Sequence, residues 1–120
     1  MKVLYIAGPY GDSGGYLAID DNIVAARKAA AFLARNGIGF CCPHLNSAHF
    51  EAILPEILAE WWYELDIRLL QGCDGIYMIR GWQGSEGARR EKEEAERMGL
   101  PVFYDSGFEA DRKALLEWGR

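Results

Sequence analysis

Short apolar runs bounded by glycine or proline alternate along this chain with longer stretches of helical spacing. Lys2–Ala7 (KVLYIA) is an apolar run closed by Gly8-Pro9 and reads as a buried strand. From about Leu17 the apolar positions Ile19, Ile23, Val24, Ala26, Ala30, Phe32 and Leu33 follow a helical period. Asp20 and Asp21 lie near the start of this stretch and Arg27, Lys28 and Arg35 toward its end, as the helix dipole favours. Asn36-Gly37 stops it. Ile38–Cys42 reads as a second strand, ended by Pro43, and Pro43–Phe50 as a loop. Pro55–Leu70 reads as a helix with proline in its first turn. Asp74–Ile79 reads as a third strand, with Asp74 a turn or capping residue. Glu86–Met98 reads as a helix, Pro101–Tyr104 as a fourth strand and Glu109–Trp118 as a last helix.

Strands alternating with helices predict a single α/β domain over residues 1–120. Its expected core is a flavodoxin-like or Rossmann-like, doubly wound parallel sheet of four to five strands. Ligands of such sheets lie beyond the carboxyl ends of the strands, near the switch in strand order. That rim gathers four loops: Gly8–Gly15, Pro43–Phe50, Arg80–Ser85 and Tyr104–Gly107. The unusual residue clusters of the chain fall in these loops or one turn past them.

Composition narrows the functions available. The formal net charge of −5 argues against a non-specific nucleic-acid binder, which needs a basic face. A few backbone N–H groups can still hold one small anion. No apolar run reaches ~18 residues, so no membrane span and no membrane partner are expected. Met1-Lys2-Val3 enters a strand without a signal-peptide pattern. Cys41, Cys42 and Cys73 are odd in number and lie in apolar segments. They read as buried free thiols, which fits a reducing cytoplasm. No Cys/His pair has zinc spacing, and His44 with His49 is a weak basis for a metal site, so none is expected. Gly8–Gly15 (GPYGDSGG) lacks the Gly-Lys-Ser/Thr ending of a P-loop and is not G-x-G-x-x-G; G-x-S-x-G is also absent. The remaining chemistry is that of carboxylates.

Two acids stand out. On the helix after Ser85, positions 84, 87, 88, 91 and 95 share one stripe, and Glu91 is its lone acid among Gly84, Gly87, Ala88 and Ala95. Glu91 either faces the sheet or cleft, or belongs with Glu93, Glu94 and Glu96 to a solvated face paired with Arg89, Arg90, Lys92 and Arg97. Asp66 lies among Trp62, Leu65, Leu69 and Leu70, and is either a cleft acid or a partly exposed helix residue. Ser85 suits a helix N-cap and, with Gly81, Gly84 and Gly87, a cradle for a phosphate. Tyr5, Tyr10, His44, Phe50 and Trp82 could wall a pocket for a planar base, although each taken singly also suits a core or edge position.

Tyr5-Ile6-Ala7-Gly8-Pro9, Asp66 ahead of Cys73-Asp74, Ser85-x-Gly87-Ala88-x-x-Glu91 and Gly99-Leu100-Pro101-Val102 together resemble the nucleoside 2-deoxyribosyltransferase superfamily. The resemblance extends to its smaller relatives, the 2'-deoxynucleoside 5'-monophosphate N-glycosidases, and to short uncharacterised domains of this kind. It covers residues 2 to about 104 and implies a flavodoxin-like fold. It also implies a nucleoside or nucleotide as the small-molecule partner, cleaved or transferred at its N-glycosidic bond without metal or organic cofactor. By the same resemblance Glu91 is the nucleophile, Asp66 orients it or passes a proton to the base, and Tyr5 and Gly8 line the sugar site. Pro9, Tyr10, His44, Asn46, Trp82 and Gly87 complete the expected substrate-binding set. Ser85 stands where the monophosphate hydrolases place a serine against the 5'-phosphate. After Glu91 the chain departs from the usual small apolar residues, with Lys92-Glu93-Glu94 in their place. Trp61, Trp62 and Leu65 offer more apolar surface than one helix face usually buries, and relatives pair through this region. A homodimer or homotetramer is therefore expected.

Overall fold

The computed structural model describes residues 1–11 and 15–120. Its four strands, β1 (Val3–Ala7), β2 (Gly39–Cys41), β3 (Gly75–Met78) and β4 (Val102–Tyr104), form one sheet in the order β2-β1-β3-β4. Every neighbouring pair is parallel, with Tyr5 level with Cys41 on one side and with Ile76 on the other. This is the flavodoxin-like winding, and its switch point lies between β1 and β3. The expected α/β class is therefore present, with four strands.

β1 is central and buried on both faces, so its residues alternate between two cores. Leu4 and Ile6 pack with α1 (Gly15–Arg35) and α6 (Glu109–Gly119), while Tyr5 and Ala7 face α5 (Glu86–Arg97) and the end of α4 (Ala59–Gln71). α1 presents Ile23, Ala26, Ala29, Ala30 and Leu33 to the first core, small residues that let the helix lie close on the sheet. Gly37 ends this helix at φ 74°, and the Ile38 N–H returns to the Leu33 carbonyl at 3.0 Å. Asp74 is a capping residue: its carboxylate accepts the backbone N–H of Val3 at 2.8 Å, tying the start of β3 to the start of β1.

Two segments differ from the sequence pattern. Pro43–Phe50, expected as a loop, begins with a short helix, α2 (Pro43–Asn46), and a second one, α3, covers Phe50–Ile53. The helix expected from Pro55 begins at Ala59. The residue before a proline is pushed off the helical region, and Leu54 (φ −123°, ψ 60°) accordingly closes α3. Leu58 is then extended (φ −74°, ψ 153°) and starts α4 without a side-chain cap. The apolar positions run on through Ile57 and Leu58, so periodicity alone could not mark this break. Among the described residues, no helix is long and apolar enough to cross a membrane. Cys41, Cys42 and Cys73 are free thiols.

Candidate functional site

All four strands end on one rim, and a cavity of about 280 Å³ opens there on the α4/α5 side. This is near the lower end of the roughly 300–1,000 Å³ usual for small-molecule pockets. Three of the four rim loops build it: Gly8 and Tyr10 after β1, Pro43, His44 and Ser47 after β2, and Ser85 after β3. α4 supplies Ala59, Trp62, Tyr63 and Asp66, an i, i+3, i+4, i+7 stripe; α5 supplies Gly87, Ala88 and Glu91. Residues 12–14 of the first loop lie outside the described residues.

Glu91 is on the cavity wall with only 8 % of its surface exposed. Of the two readings of this residue, the cleft reading holds: Ala88, Glu91 and Ala95 are the buried face of α5. Glu93 and Glu96 are exposed, and Glu96 and Glu94 pair with Lys92 and Arg97. Tyr5, fully buried beneath the cavity, donates its hydroxyl to Glu91 Oε2. Burial pushes the Glu91 carboxyl up to about 8, the Asp66 charge pushes in the same direction, and the Tyr5 hydrogen bond opposes both. Burial, reinforced by the nearby Glu91 charge, keeps the Tyr5 hydroxyl protonated and hence a fixed donor. Asp66 is half-buried on the facing helix, and burial raises its carboxyl to about 6. Two acids with separated protonation steps thus share one small cavity, an arrangement suited to acid–base work near neutral pH.

Ser85 caps α5, its Oγ accepting the Ala88 N–H at 3.2 Å. The hydroxyl proton stays available to an acceptor in the cavity. Gly8 is required by close packing: a Cβ there would lie 2.3 Å from Ile79 Cγ1. His44 is 6 % exposed, and burial lowers its pKa, so the ring is neutral. Nε2 donates to the Pro9 carbonyl (2.7 Å), and Nδ1 is left as an acceptor with no partner. Tyr10 bridges the mouth, donating to Glu51 Oε2 (2.8 Å) and accepting the His49 N–H (2.8 Å).

Of the residues expected from the sequence, Gly8, Tyr10, His44, Asp66, Ser85, Gly87 and Glu91 line the cavity, and Tyr5 lies directly behind it. Pro9 takes part through its carbonyl. Asn46 is exposed at the end of α2, outside the lining. Trp82 also lies outside it, packed against Tyr104 with ring centroids 5.9 Å apart and the Lys92 ammonium 5.6 Å above it. Gly84 is exposed and takes no part in the lining, so the expected anion cradle reduces to Ser85, Gly87 and the first turn of α5. Sequence reasoning missed Trp62, Tyr63 and Glu51 as lining residues. Trp62 and Tyr63 could have been found, since they stand four and three positions before Asp66 on one helix face. Glu51 carried no such signal.

The sequence profile of one protein family matches residues 2–104, the whole sheet and both acids. The chain belongs to the family described as a domain of unknown function, DUF4406. No curated protein matches it. In this DUF4406 domain the matched region ends with β4, so α6 lies beyond the family profile.

Proposed function

We propose that this DUF4406 domain cleaves or transfers the N-glycosidic bond of a (deoxy)nucleoside or its 5'-monophosphate, as the resemblance to the nucleoside 2-deoxyribosyltransferase superfamily implies. The observation that carries the reading is Glu91: a buried acid on a cavity wall, held by a permanently protonated tyrosine and faced by a second acid. Loss of the base builds oxocarbenium-like charge on the sugar, and a carboxylate beneath it stabilises that charge and can trap it. In the first step a Glu91 oxygen bonds to the anomeric carbon as the C–N bond breaks. The electron pair leaves with the base nitrogen, which takes a proton from Asp66. The single proton of the acid pair, held mainly on Glu91 before reaction, has by then moved to Asp66 and left Glu91 ionised. Water or a second base then displaces the glycosyl ester, returning Glu91 as a carboxylate and a proton to Asp66. Trp62, Tyr63, Phe50 and Tyr10 supply aromatic walls for a planar base.

Among the described residues the lining holds three carboxyl groups, Glu51, Asp66 and Glu91, and no lysine or arginine. A 5'-phosphate therefore depends on Ser85 and the first N–H groups of α5. Ser85→Ala is expected to cost about 1 kcal/mol of stability through the lost cap. It is also expected to raise KM for a 5'-monophosphate several-fold more than for the matching nucleoside. Steady-state kinetics on the two substrates checks this, and equal effects would remove the phosphate role.

Ile53, Leu58 and Trp61 are more than half exposed beside this cavity, a surface that supports pairing with a second copy. Light scattering is expected to give a dimer or tetramer for the native chain and a smaller species for Leu58→Glu/Trp61→Glu.

A further inference from the structure

A second cavity, of about 520 Å³, opens on the opposite face of the sheet, between α1, α6 and the fourth rim loop, 104–107. Its apolar floor includes Phe32, Ile79 and Leu115. Its charged groups come from three separate segments: Lys28 on α1, Arg80 after β3 and Arg112 on α6, against Asp105 and Glu109. The cations outnumber the acids, and they are weakly engaged. Arg80 Nε is 3.9 Å from Asp105 Oδ1, at the long limit of an ion pair. The Arg112 guanidinium lies over the Phe32 ring, 5.2 Å from its centroid, and neither it nor Lys28 has an ion-pair partner among the described residues.

Tyr77 lies among these groups. It is 5 % exposed, lines the cavity, and its hydroxyl makes no hydrogen bond among the described residues. The hydroxyl opens into the cavity and is not sealed in the core. Burial and Asp105 push this hydroxyl up to about 12 while Arg80 and Arg112 are near enough to pull it back, so it remains a donor at neutral pH. An aromatic and aliphatic floor, two guanidinium groups, an ammonium group and a free phenolic donor complement a molecule with a flat apolar body and one oxyanion. The described lining of the first cavity holds no lysine or arginine.

We propose that this cavity is a second ligand site, taking a small aromatic carboxylate or phosphate monoester with its oxyanion between Arg80, Arg112 and the Tyr77 hydroxyl. The two cavities share a wall. Ile79 lines the second, and its side chain fills the space over Gly8, which lines the first. This site is independent of any reaction at Glu91.

The probes are 1-naphthyl phosphate and 1-naphthoate, with neutral 1-naphthol as the control, titrated into the full chain and followed by amide ¹H–¹⁵N NMR. The site predicts saturable shifts of the Tyr77, Ile79, Gly107 and Arg112 amides with at least one of the anions, and about tenfold or more weaker binding of naphthol. Arg80→Gln/Arg112→Gln is expected to weaken the anion about tenfold or more, and Tyr77→Phe several-fold, with the remaining spectrum unchanged. Absence of saturable shifts at these amides with either anion overturns the proposal. So does naphthol binding as tightly as the anions, or a folded double variant that binds as the native chain does.

Discussion

Glu91→Gln is expected to abolish base release, by on the order of 10⁴-fold or more, and at the same time to stabilise the protein at alkaline pH. The first effect follows from losing the group that bonds to the anomeric carbon. The second follows from linkage. The Glu91 carboxyl sits at about 8 in the folded chain against an ordinary value of 4.5. Between those values the unfolded chain has released a proton that the folded chain still holds. The native protein therefore loses stability as pH rises through this window, and above about 8 it carries a buried charge. Glutamine does not titrate, and its carbonyl can still accept the Tyr5 hydroxyl. The stability difference between variant and native chain should grow from pH 4.5 to 8 and then level, reaching a few kcal/mol at most. Denaturant unfolding at pH 5, 7 and 9 measures it. A pH-independent difference, or a variant less stable at pH 9, contradicts the buried-acid account even if no substrate has been found.

The second large effect concerns Asp66. The pair takes up one proton near 8 and a second near 6. The proposed reaction needs Glu91 ionised and Asp66 protonated, the minor of the two singly protonated forms of the pair. Accordingly kcat/KM should be bell-shaped, centred near 7 and halved near 6 and 8, with its height set by that minor fraction. Asp66→Asn removes the proton donor and should lower the rate about 10²–10⁴-fold. It also removes the negative charge that helps to raise Glu91. The profile of this variant should therefore lose its alkaline limb and reach its plateau below pH 8. A variant that keeps the bell assigns the proton to another group.

Much of this arrangement is legible in the residue order. β1 alternates without polar interruption because it is central, and that alternation already puts Tyr5 and Ile6 on opposite faces. The small-residue stripe of α5 isolates Glu91 because Ala88 and Ala95, which flank it on the buried face, let the helix lie close on the sheet. What could not be read is what joins distant segments. The Tyr5–Glu91 hydrogen bond spans 86 positions, and nothing local to either residue announces it. Trp82 looked like a ligand wall because of its neighbours, yet Tyr104, from another strand, gives it a packing partner outside the cavity. The late start of α4 was hidden because Ile57 and Leu58 continue the apolar pattern through a turn. The second cavity was invisible for the same physical reason: Lys28, Arg80 and Arg112 belong to three separate segments, and only the winding of the sheet brings them together around Tyr77.

The central claim is that the acid pair in the first cavity breaks an N-glycosidic bond. The most direct measurement is chromatography for free base after incubating the native chain at pH 7 with the four common ribonucleosides, the four deoxyribonucleosides and their 5'-monophosphates, each with and without a second base as acceptor. The account predicts release or exchange of base from at least one of them, absent in Glu91→Gln. Free base from none, under conditions where a nucleoside or nucleotide demonstrably binds the cavity, contradicts it and leaves a binding module in place of an enzyme.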